Sequence, residues 1–222
     1  MGVGPVSAPS ARPSSSAPGP TPAAGPRHPA VFFDRDGVLN ASLVRDGRPH
    51  PPRSLDELRI VPGAAEGLAA LAAAGFRLIV VSNQPDTARG TLARETADAI
   101  NAALHAALPA LDEILTCYDD GDTPRRKPNP GMLLEAAARH GIDPKRSYLV
   151  GDRWKDIEAG RRAGCRTILI DQHYDEPWPA APPDVRVDSL PAAIAYILRN
   201  RAGGTGDQRQ VRSETCDVTG DK

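Results

Sequence analysis

The chain has 222 residues, enough for one domain with a full hydrophobic core. Its 27 basic and 28 acidic residues give a formal net charge of −1, so no overall field draws the chain to nucleic acid or to an anionic membrane. We therefore expect a small-molecule partner, no nucleic acid and no membrane, and a chain that acts as a monomer.

The three cysteines favour a reducing compartment. Cys117, Cys165 and Cys216 are far apart and form no CxxC pair, which does not fit a disulfide-stapled fold. No stretch approaches the roughly 18 consecutive apolar residues that a membrane helix requires. The N-terminus also lacks the apolar block of a secretory signal. These features predict a cytoplasmic protein.

The two ends of the chain differ in composition from its middle. Residues 1–29 are almost entirely Pro, Ser, Ala and Gly, with too few apolar side chains to offset the entropy of ordering them. From about residue 201 the chain is again polar and without periodicity. The predicted organisation is a disordered tail over 1–29, one domain over 30–200 and a second disordered tail over 201–222.

Between the tails, short apolar strands alternate with alanine- and leucine-rich helices. In chain order these are the strand AVFF (30–33), a helix over 62–74, RLIVV (77–81), a helix over 91–107, EILTC (113–117), a helix over 130–140, SYLVG (147–151), a helix over 154–163, TILI (167–170) and a helix over 189–199. This alternation predicts an α/β fold: an open parallel sheet with helices on both faces.

Two carboxylates follow the first strand. Asp34 and Asp36 are two residues apart on extended chain, so their side chains leave on the same side. Two negative charges beside a buried strand repel each other unless a cation lies between them or one is protonated. Mg²⁺, which prefers carboxylate and carbonyl oxygens, is suited to this position. A simple Asp-rich turn is the alternative.

Three further strand ends carry polar groups. Ser82 and Asn83 follow the second strand and can hold phosphate oxygens, although an ordinary turn has the same composition. The run Arg125-Arg126-Lys127-Pro128 follows the third strand; its alternative is a solvated basic loop. Asp152 follows the fourth. Because carboxyl ends of parallel strands meet at one sheet edge, the set indicates an anionic substrate and a divalent metal.

Four motifs carry a family resemblance. DRDGVLN (34–40), SNQ (82–84), RKPNPGM (126–132) and GDRWKDIEAG (151–160) closely resemble the four motifs of haloacid dehalogenase (HAD) superfamily phosphatases. Within that superfamily the resemblance is to the histidinol-phosphatase and heptose-bisphosphate-phosphatase group, and it covers about residues 30–172. It implies a Rossmann-like, three-layer α/β/α sandwich of the HAD type.

The resemblance also implies a mechanism. Asp34 would attack phosphorus to form an aspartyl-phosphate, and Asp36 would protonate the leaving oxygen and then deprotonate the hydrolytic water. Asp34, the backbone carbonyl of Asp36 and Asp152 would hold Mg²⁺.

On the opposite side of the phosphoryl group, the resemblance implies that Lys127 and the Ser82-Asn83 turn neutralise charge. Asp156 would orient Lys127 or a metal-bound water, and an acid interacting with the helix dipole is the alternative for this residue.

The loop before Lys127 departs from the family pattern. Relatives commonly carry one His and three Cys there as a zinc site, whereas CYDDGDTPRRKP (117–128) retains only Cys117. One thiol cannot form a four-ligand site, so we expect no structural zinc.

The spacing of the motifs leaves no room for a cap domain, because about 45 residues separate Asp36 from Ser82, and Ser82 from Lys127. Selectivity for the substrate must then come from basic loops around the site. Candidates for binding a second phosphate are Arg45, Arg48, His50 and Arg53 in the 44–54 loop, and Arg89, Arg126 and Arg153 after other strands. In the heptose phosphatases, positions like Arg89 and Arg126 bind sugar phosphate.

The resemblance favours a Mg²⁺-dependent phosphatase acting on a small sugar phosphate, with D-glycero-D-manno-heptose 1,7-bisphosphate as the first choice. Histidinol phosphate is the second. A polynucleotide 3′-phosphatase is disfavoured, since only 4% of the residues are aromatic and the chain has no positive excess. An inactive HAD-fold binding protein is disfavoured by the intact acids and Lys127.

Overall fold

A computed structural model of the chain describes Met1 and residues 27–45, 48–174, 177–178 and 181–200. These ranges form eight strands and five α-helices. The strands are β1 (Ala30–Phe33), β2 (Leu43–Arg45), β3 (Arg48–His50), β4 (Arg77–Asn83), β5 (Glu113–Cys117), β6 (Tyr148–Gly151), β7 (Arg166–Ile170) and β8 (Val185–Val187). The helices are α1 (Ala64–Ala73), α2 (Arg94–Ala107), α3 (Gly131–His140), α4 (Trp154–Ala163) and α5 (Leu190–Arg199).

Six strands form one parallel sheet in the order β5-β4-β1-β6-β7-β8. In the centre, Phe33 of β1 pairs with Val80 of β4 on one side and with Val150 of β6 on the other. Along the chain, β4 and then β5 are added on one side of β1, and β6 is added on the opposite side of β1. Ligands of open α/β sheets bind at the carboxyl edge where the strand order reverses in this way.

Each central strand contributes to two cores, because alternate side chains point to opposite faces of the sheet. Val31 and Phe33 pack with α1, α5 and the end of α2 on one face. Ala30 and Phe32 pack with α3 and α4 on the other. Continuous apolar runs are thus buried on both sides, as expected for interior parallel strands. The predicted three-layer α/β/α sandwich is confirmed.

Three short strands are absent from the sequence prediction. β2 and β3 form an antiparallel pair of three residues each, and β8 adds an edge strand beside β7. β8 has the sequence VRV and is only partly buried, so it lacks the apolar run that identifies the interior strands. The five predicted strands and five predicted helices are present, with ends shifted by no more than three residues.

Both ends of the folded domain lie at the amino edge of the sheet. Just before β1, the N–H of His28 donates to the carbonyl of Gly141, and the N–H of Asp143 donates to the carbonyl of His28. The hydroxyl of Tyr148, the first residue of β6, donates to the carbonyl of Asn200 after α5 at 3.1 Å. Of the two predicted disordered tails, 1–29 and 201–222, residues 2–26 and 201–222 lie outside the described residues. No helix in the described ranges is long and apolar enough to cross a bilayer.

Candidate active site

Three carboxylates meet at the carboxyl edge of the sheet. Asp34 follows β1, Asp152 follows β6, and Asp156 lies in the first turn of α4. One carboxylate oxygen from each lies within 4.8 Å of the others, a spacing suited to a single cation. Asp152 and Asp156 are buried, and Asp34 is nearly so. The predicted meeting of separate strand ends is therefore present.

Lys127 supplies the positive charge beside these acids. Its Nζ lies 2.7 Å from Oδ1 of Asp34 and 2.6 Å from Oδ1 of Asp156. Burial disfavours the charged amine, but the nearby Asp156 and Asp34 outweigh this effect and raise the pKa of Lys127 above its ordinary value. The ammonium group therefore stays charged and ties the first strand end to helix α4.

Asn83 fixes the loop that carries Lys127. The side-chain amide of Asn83 donates to the backbone carbonyl of Lys127 at 3.0 Å, and the backbone N–H of Lys127 donates to Oδ1 of Asn83 at 3.1 Å. Gly131 permits a close approach behind this loop, because an added Cβ would lie 2.2 Å from the carbonyl oxygen of Pro124. The SNQ and RKPNPG motifs therefore act together to position one lysine.

The three clustered carboxyl groups, when ionised, carry more negative charge than the single ammonium group of Lys127 can balance. Burial raises the pKa of Asp34 to about 6, with Lys127 opposing and Asp156 and Asp36 adding to the shift. Burial, followed by the charges of Asp34 and Asp156, also raises the pKa of Asp152 well above its usual value. Oδ1 of Asp152 is buried and has no hydrogen-bond partner among the described residues. These carboxylate oxygens fit a hard divalent cation such as Mg²⁺.

Four donors orient the carboxylate of Asp36. Nε and Nη2 of the fully buried Arg35 donate to its two oxygens at 3.1 and 3.0 Å. The amides of Asn40 and Gln84 donate to the same two oxygens at 3.0 and 2.7 Å. Nη1 of Arg35 also donates to Oδ1 of Asn101 in α2 at 2.8 Å. The second acid of the DRDG motif is therefore oriented by its neighbours in the motif and by the SNQ turn.

Asp152 and Asp156 have further fixed contacts. The hydroxyl of Tyr174 donates to Oδ2 of Asp152 at 3.0 Å. The backbone N–H of Arg153 donates to Oδ2 of Asp156 at 3.1 Å, in a capping arrangement at the start of α4. Asp156 therefore caps helix α4 and also contacts Lys127. The two interpretations drawn from the sequence, a helix-terminal acid and a partner of Lys127, are compatible with each other.

A cavity of about 280 Å³ opens above these groups. It is lined by eight of the nine predicted site residues: Asp34, Asp36, Asn83, Arg89, Arg126, Lys127, Asp152 and Arg153. Ser82 is buried and outside the lining, and its hydroxyl accepts a hydrogen bond from Gln84 at 2.9 Å. His50 of the 44–54 loop also lines the cavity, whereas the side chains of Arg45 and Arg48 lie outside the described residues.

Sequence reasoning assigns no role to four residues that contact the acids: Arg35, Asn40, Gln84 and Tyr174. Gln84 has a local signal, because it stands in the SNQ motif beside two predicted site residues. Tyr174 has none, since it lies 22 positions after Asp152 in an irregular segment.

Cys117, at the end of β5, is buried. Its thiol donates to Oδ2 of Asp119 at 3.6 Å and lies 3.9 Å from the hydroxyl of Thr123. Burial raises the pKa of this thiol.

Comparison with known proteins identifies one group repeatedly. Residues 124–193 match the family described as HAD-hydrolase-like. The D-glycero-D-manno-heptose-1,7-bisphosphate 7-phosphatase of Thermosynechococcus vestitus is 34% identical over 197 residues, which cover 78% of this chain and 97% of that protein. The D-glycero-beta-D-manno-heptose-1,7-bisphosphate 7-phosphatase of Mesorhizobium japonicum is 37% identical over 160 residues, covering 66% of this chain and 71% of that protein.

Solved structures agree with the sequence comparisons. The D,D-heptose 1,7-bisphosphate phosphatase of B. bronchiseptica, complexed with magnesium and phosphate, superposes with a TM-score of 0.67 at 28% identity, covering 78% of this chain and 99% of that one. The D,D-heptose 1,7-bisphosphate phosphatase of Burkholderia thailandensis gives a TM-score of 0.55 at 28% identity, covering 77% and 98%.

Proposed function

We propose that the substrate of this chain is a heptose 1,7-bisphosphate, cleaved at the C7 phosphate, because the chain belongs to the D-glycero-D-manno-heptose-1,7-bisphosphate 7-phosphatase family of HAD-like hydrolases. The chain is a phosphatase that hydrolyses phosphomonoesters with Mg²⁺, as the phosphatases of its family do. The observation that carries the site assignment is the contact of Lys127 with both Asp34 and Asp156 at the edge where Asp152 also lies.

In the first half-reaction, a carboxylate oxygen of Asp34 attacks phosphorus while the bond between phosphorus and the sugar oxygen breaks. Asp36 gives its proton to that departing oxygen, which leaves as the sugar hydroxyl. Asp34 lines the cavity beside Lys127, whose ammonium group balances charge on the phosphoryl oxygens as the bonds change.

In the second half-reaction, a water molecule attacks the aspartyl-phosphate and Asp36 accepts its proton. The bond between phosphorus and the Asp34 oxygen breaks, which releases inorganic phosphate and restores the Asp34 carboxylate and the protonated Asp36. The four donors around Asp36 keep its carboxylate beside the cavity.

The Asp34 carboxylate, the backbone carbonyl of Asp36 and the Asp152 carboxylate would hold Mg²⁺. When bound, the ion supplies charge that offsets the carboxylates and the phosphate oxygens. Tyr174 and the turn at Gly37 restrict the position of Asp152, because an added Cβ at Gly37 would lie 1.9 Å from Oδ2 of Asp152. The unpartnered Oδ1 of Asp152 supports this assignment.

We assign the selection of the substrate to the arginines around the cavity. Arg89, Arg126 and Arg153 line it, and a guanidinium group suits forked recognition of a phosphate. The phosphate on C1 of the sugar would contact Arg89 and Arg126 while the C7 phosphate lies at Asp34.

The proposal is tested by phosphate release from a substrate panel. Heptose 1,7-bisphosphate anomers, histidinol phosphate, other sugar phosphates and a 3′-phosphorylated oligonucleotide are assayed with Mg²⁺ and with a chelator. We expect a heptose bisphosphate to have the highest kcat/KM and chelation to abolish turnover. A preference for histidinol phosphate would overturn the substrate assignment, and hydrolysis of none would overturn the activity.

The nucleophile is tested separately. Asp34→Asn removes the attacking oxygen, so we expect turnover to be lost while circular dichroism and the thermal midpoint show a folded protein. Asp56→Asn, an exposed change outside the cavity, is the matched control and retains turnover. Retained activity in the Asp34 variant would mean that another group attacks phosphorus.

A further inference from the structure

Asp120 forms ion pairs with two arginines of the cavity. Nε and Nη2 of Arg89 donate to its two carboxylate oxygens at 2.9 and 2.6 Å, a forked arrangement. Nη2 of Arg126 lies 3.2 Å from Oδ1 of Asp120. Arg89 and Arg126 line the cavity, whereas Asp120 lies behind them in the loop that follows β5. One carboxylate therefore holds both arginines from outside the cavity.

Carboxylates face both arginines of the pair. Oδ1 of Asp86 lies 3.6 Å from Nη1 of Arg89, so two acids face two arginines. Arg126 is further anchored by donating from Nη1 to the carbonyl oxygens of Asp120 and Gly121. Nε of Arg126 is buried and has no hydrogen-bond partner among the described residues. The arginines are thus positioned for an anion, but their charge is already balanced by carboxylates.

We propose that Asp120 is a specificity-determining residue, an internal counter-ion that the second phosphate of the substrate must displace from Arg89 and Arg126. This inference rests on the proposed function. It adds that a side chain of the protein competes with the second phosphate of the substrate for the two arginines. Asp120 forms the same kind of forked contact with a guanidinium group that a phosphate would form.

Displacement is feasible because the contact is solvent-exposed. The side chains of Arg89 and Asp120 are 48% and 39% exposed, so water can solvate the carboxylate as it moves away. A phosphate carries a charge of about −1.5 to −2 and three acceptor oxygens, against one charge and two oxygens for Asp120. A ligand with a second phosphate can therefore replace Asp120, whereas a monophosphate leaves the arginine pair occupied.

Asp120 should therefore weaken anion binding at Arg89 and Arg126 and make it more selective for a second phosphate. Weakly charged anions do not compete with Asp120 for the arginines, and a bisphosphate binds less tightly than it would to free guanidinium groups. Removing the charge of Asp120 while keeping its shape should therefore improve binding of the bisphosphate relative to the monophosphate.

The experiment measures binding, so that it does not depend on turnover. The full chain is prepared with Asp34→Asn, alone and combined with Asp120→Asn or with Asp122→Asn. Dissociation constants of heptose 1,7-bisphosphate and heptose 7-phosphate are measured by calorimetry with Mg²⁺. Asp122 is the matched control, because it lies in the same loop and accepts a hydrogen bond from Asn129 rather than from the two arginines.

We expect Asp120→Asn to shift the ratio of the two constants about three- to tenfold toward the bisphosphate, the size of change expected for an exposed but forked ion pair. Asp122→Asn should leave the ratio unchanged. An unchanged ratio in the Asp120 variant, an equal shift in the Asp122 variant, weaker bisphosphate binding without Asp120, or no bisphosphate binding to any of the three proteins would overturn the inference.

These outcomes are separate from those of the proposed function. If the wild-type chain releases phosphate from histidinol phosphate and not from a heptose bisphosphate, the substrate assignment fails. As long as the bisphosphate binds, the ratio of the two dissociation constants still reports whether Asp120 competes with a second phosphate. Circular dichroism of each variant checks that the exposed loop change leaves the fold intact.

Discussion

Lys127 is buried between two carboxylates that would otherwise repel each other. Its Nζ is within 2.7 Å of both Asp34 and Asp156, and its side chain is 3% exposed. Removing one partner of such a cluster leaves the other charges buried without compensation, which costs more than the pair itself contributes. We therefore expect Lys127 to matter for stability, in addition to its proposed role at the phosphoryl group.

Lys127→Met should lower the free energy of unfolding by about 3 kcal/mol in metal-free buffer, because two buried carboxylates lose their counter-ion. It should also lower kcat/KM at least about 100-fold, since one source of charge stabilisation is lost. Urea unfolding and phosphate release measure the two effects. Lys145→Met, at an exposed position of a 3₁₀ turn, is the control, with an expected change of less than about 0.5 kcal/mol. Wild-type stability in the Lys127 variant would contradict the argument.

At the scale of elements, helix α4 packs unusually close to the sheet. A Cβ added at Gly160 would lie 2.8 Å from Cγ2 of Thr167 and 3.0 Å from Cβ of Leu149. Gly151, at the end of β6, allows the same closeness to Asp156, with an added Cβ 2.2 Å from its Cβ. The two glycines therefore set the distance between α4 and the strand that delivers Asp152.

Gly160→Ala should destabilise the domain. Overpacking costs about 1–3 kcal/mol and the gain in helix propensity is at most about 1 kcal/mol, so we expect a net loss of about 1–2 kcal/mol in urea unfolding. Gly67→Ala in α1 is the comparison, because its new Cβ would meet only the side chain of Ile194, whose terminal Cδ1 lies at 2.3 Å. That variant should be neutral or up to about 1 kcal/mol more stable. Equal effects of the two changes would refute the packing argument.

Helix α4 also carries a local charge cluster. Two hydrogen bonds from Arg161 to Glu158, at 2.9 and 2.7 Å, and one from Arg162, at 2.7 Å, surround a single carboxylate. The bonds from Arg161, opposed by burial and assisted by Arg162, lower the pKa of Glu158 to about 2 from an ordinary 4.5. The charged form of Glu158 therefore stabilises the folded state.

The sign of the pH effect follows from this lowered pKa. The contribution of Glu158 is fully present above about pH 4.5 and is lost as the pH falls toward about 2. Glu158→Gln should cost about 1 kcal/mol near neutral pH, because the arginine partners are partly exposed. The difference in urea midpoint between the wild type and this variant should stay constant from pH 8 to 5 and shrink below pH 4.5. A constant difference down to pH 3 would contradict the assignment.

The elements that the sequence predicts are those with a strong local pattern. The run at 78–81 is apolar throughout because β4 lies in the interior of the sheet, and this apolar run makes the strand identifiable from the sequence. β8 has Arg186 at its centre and depends on pairing with β7, so its strand conformation comes from tertiary contact. β2 and β3, only three residues each, are similarly determined by their mutual pairing.

For the candidate site, the sequence predicts the location of a residue best where that residue directly follows a strand. Asp34 and Asp152 follow β1 and β6, so the topology of a parallel sheet brings them together without further information. The partners of Asp36 are harder to predict, since Gln84 reaches it only because β4 pairs with β1. Nothing near Tyr174 in the sequence indicates its contact with Asp152, which depends on the path of an irregular segment.

At the scale of the whole molecule, metal binding and folding should be coupled. Asp34, Asp152 and Asp156 converge only in the folded chain, so an ion held there stabilises the native state. A hundredfold excess of Mg²⁺ over its Kd adds about 2.7 kcal/mol, which raises the thermal midpoint by about 5–10 °C for a domain of this size.

Differential scanning calorimetry with Mg²⁺ and with chelator measures this shift. Asp152→Asn should lose most of it and should be at least as stable as the wild type in chelator, because one uncompensated buried charge is gone. An equal Mg²⁺ shift in both proteins would place the ion elsewhere.

The position of both domain ends at the amino edge has a practical consequence. His28 and Asn200 are held beside the starts of β1 and β6, and the candidate active-site cavity lies across the full length of the strands from them. A bead, electrode or carrier protein attached at the position of His28 or Asn200 would thus face away from incoming substrate. Enzyme attached at either of these positions and free enzyme should accordingly share the same kcat/KM.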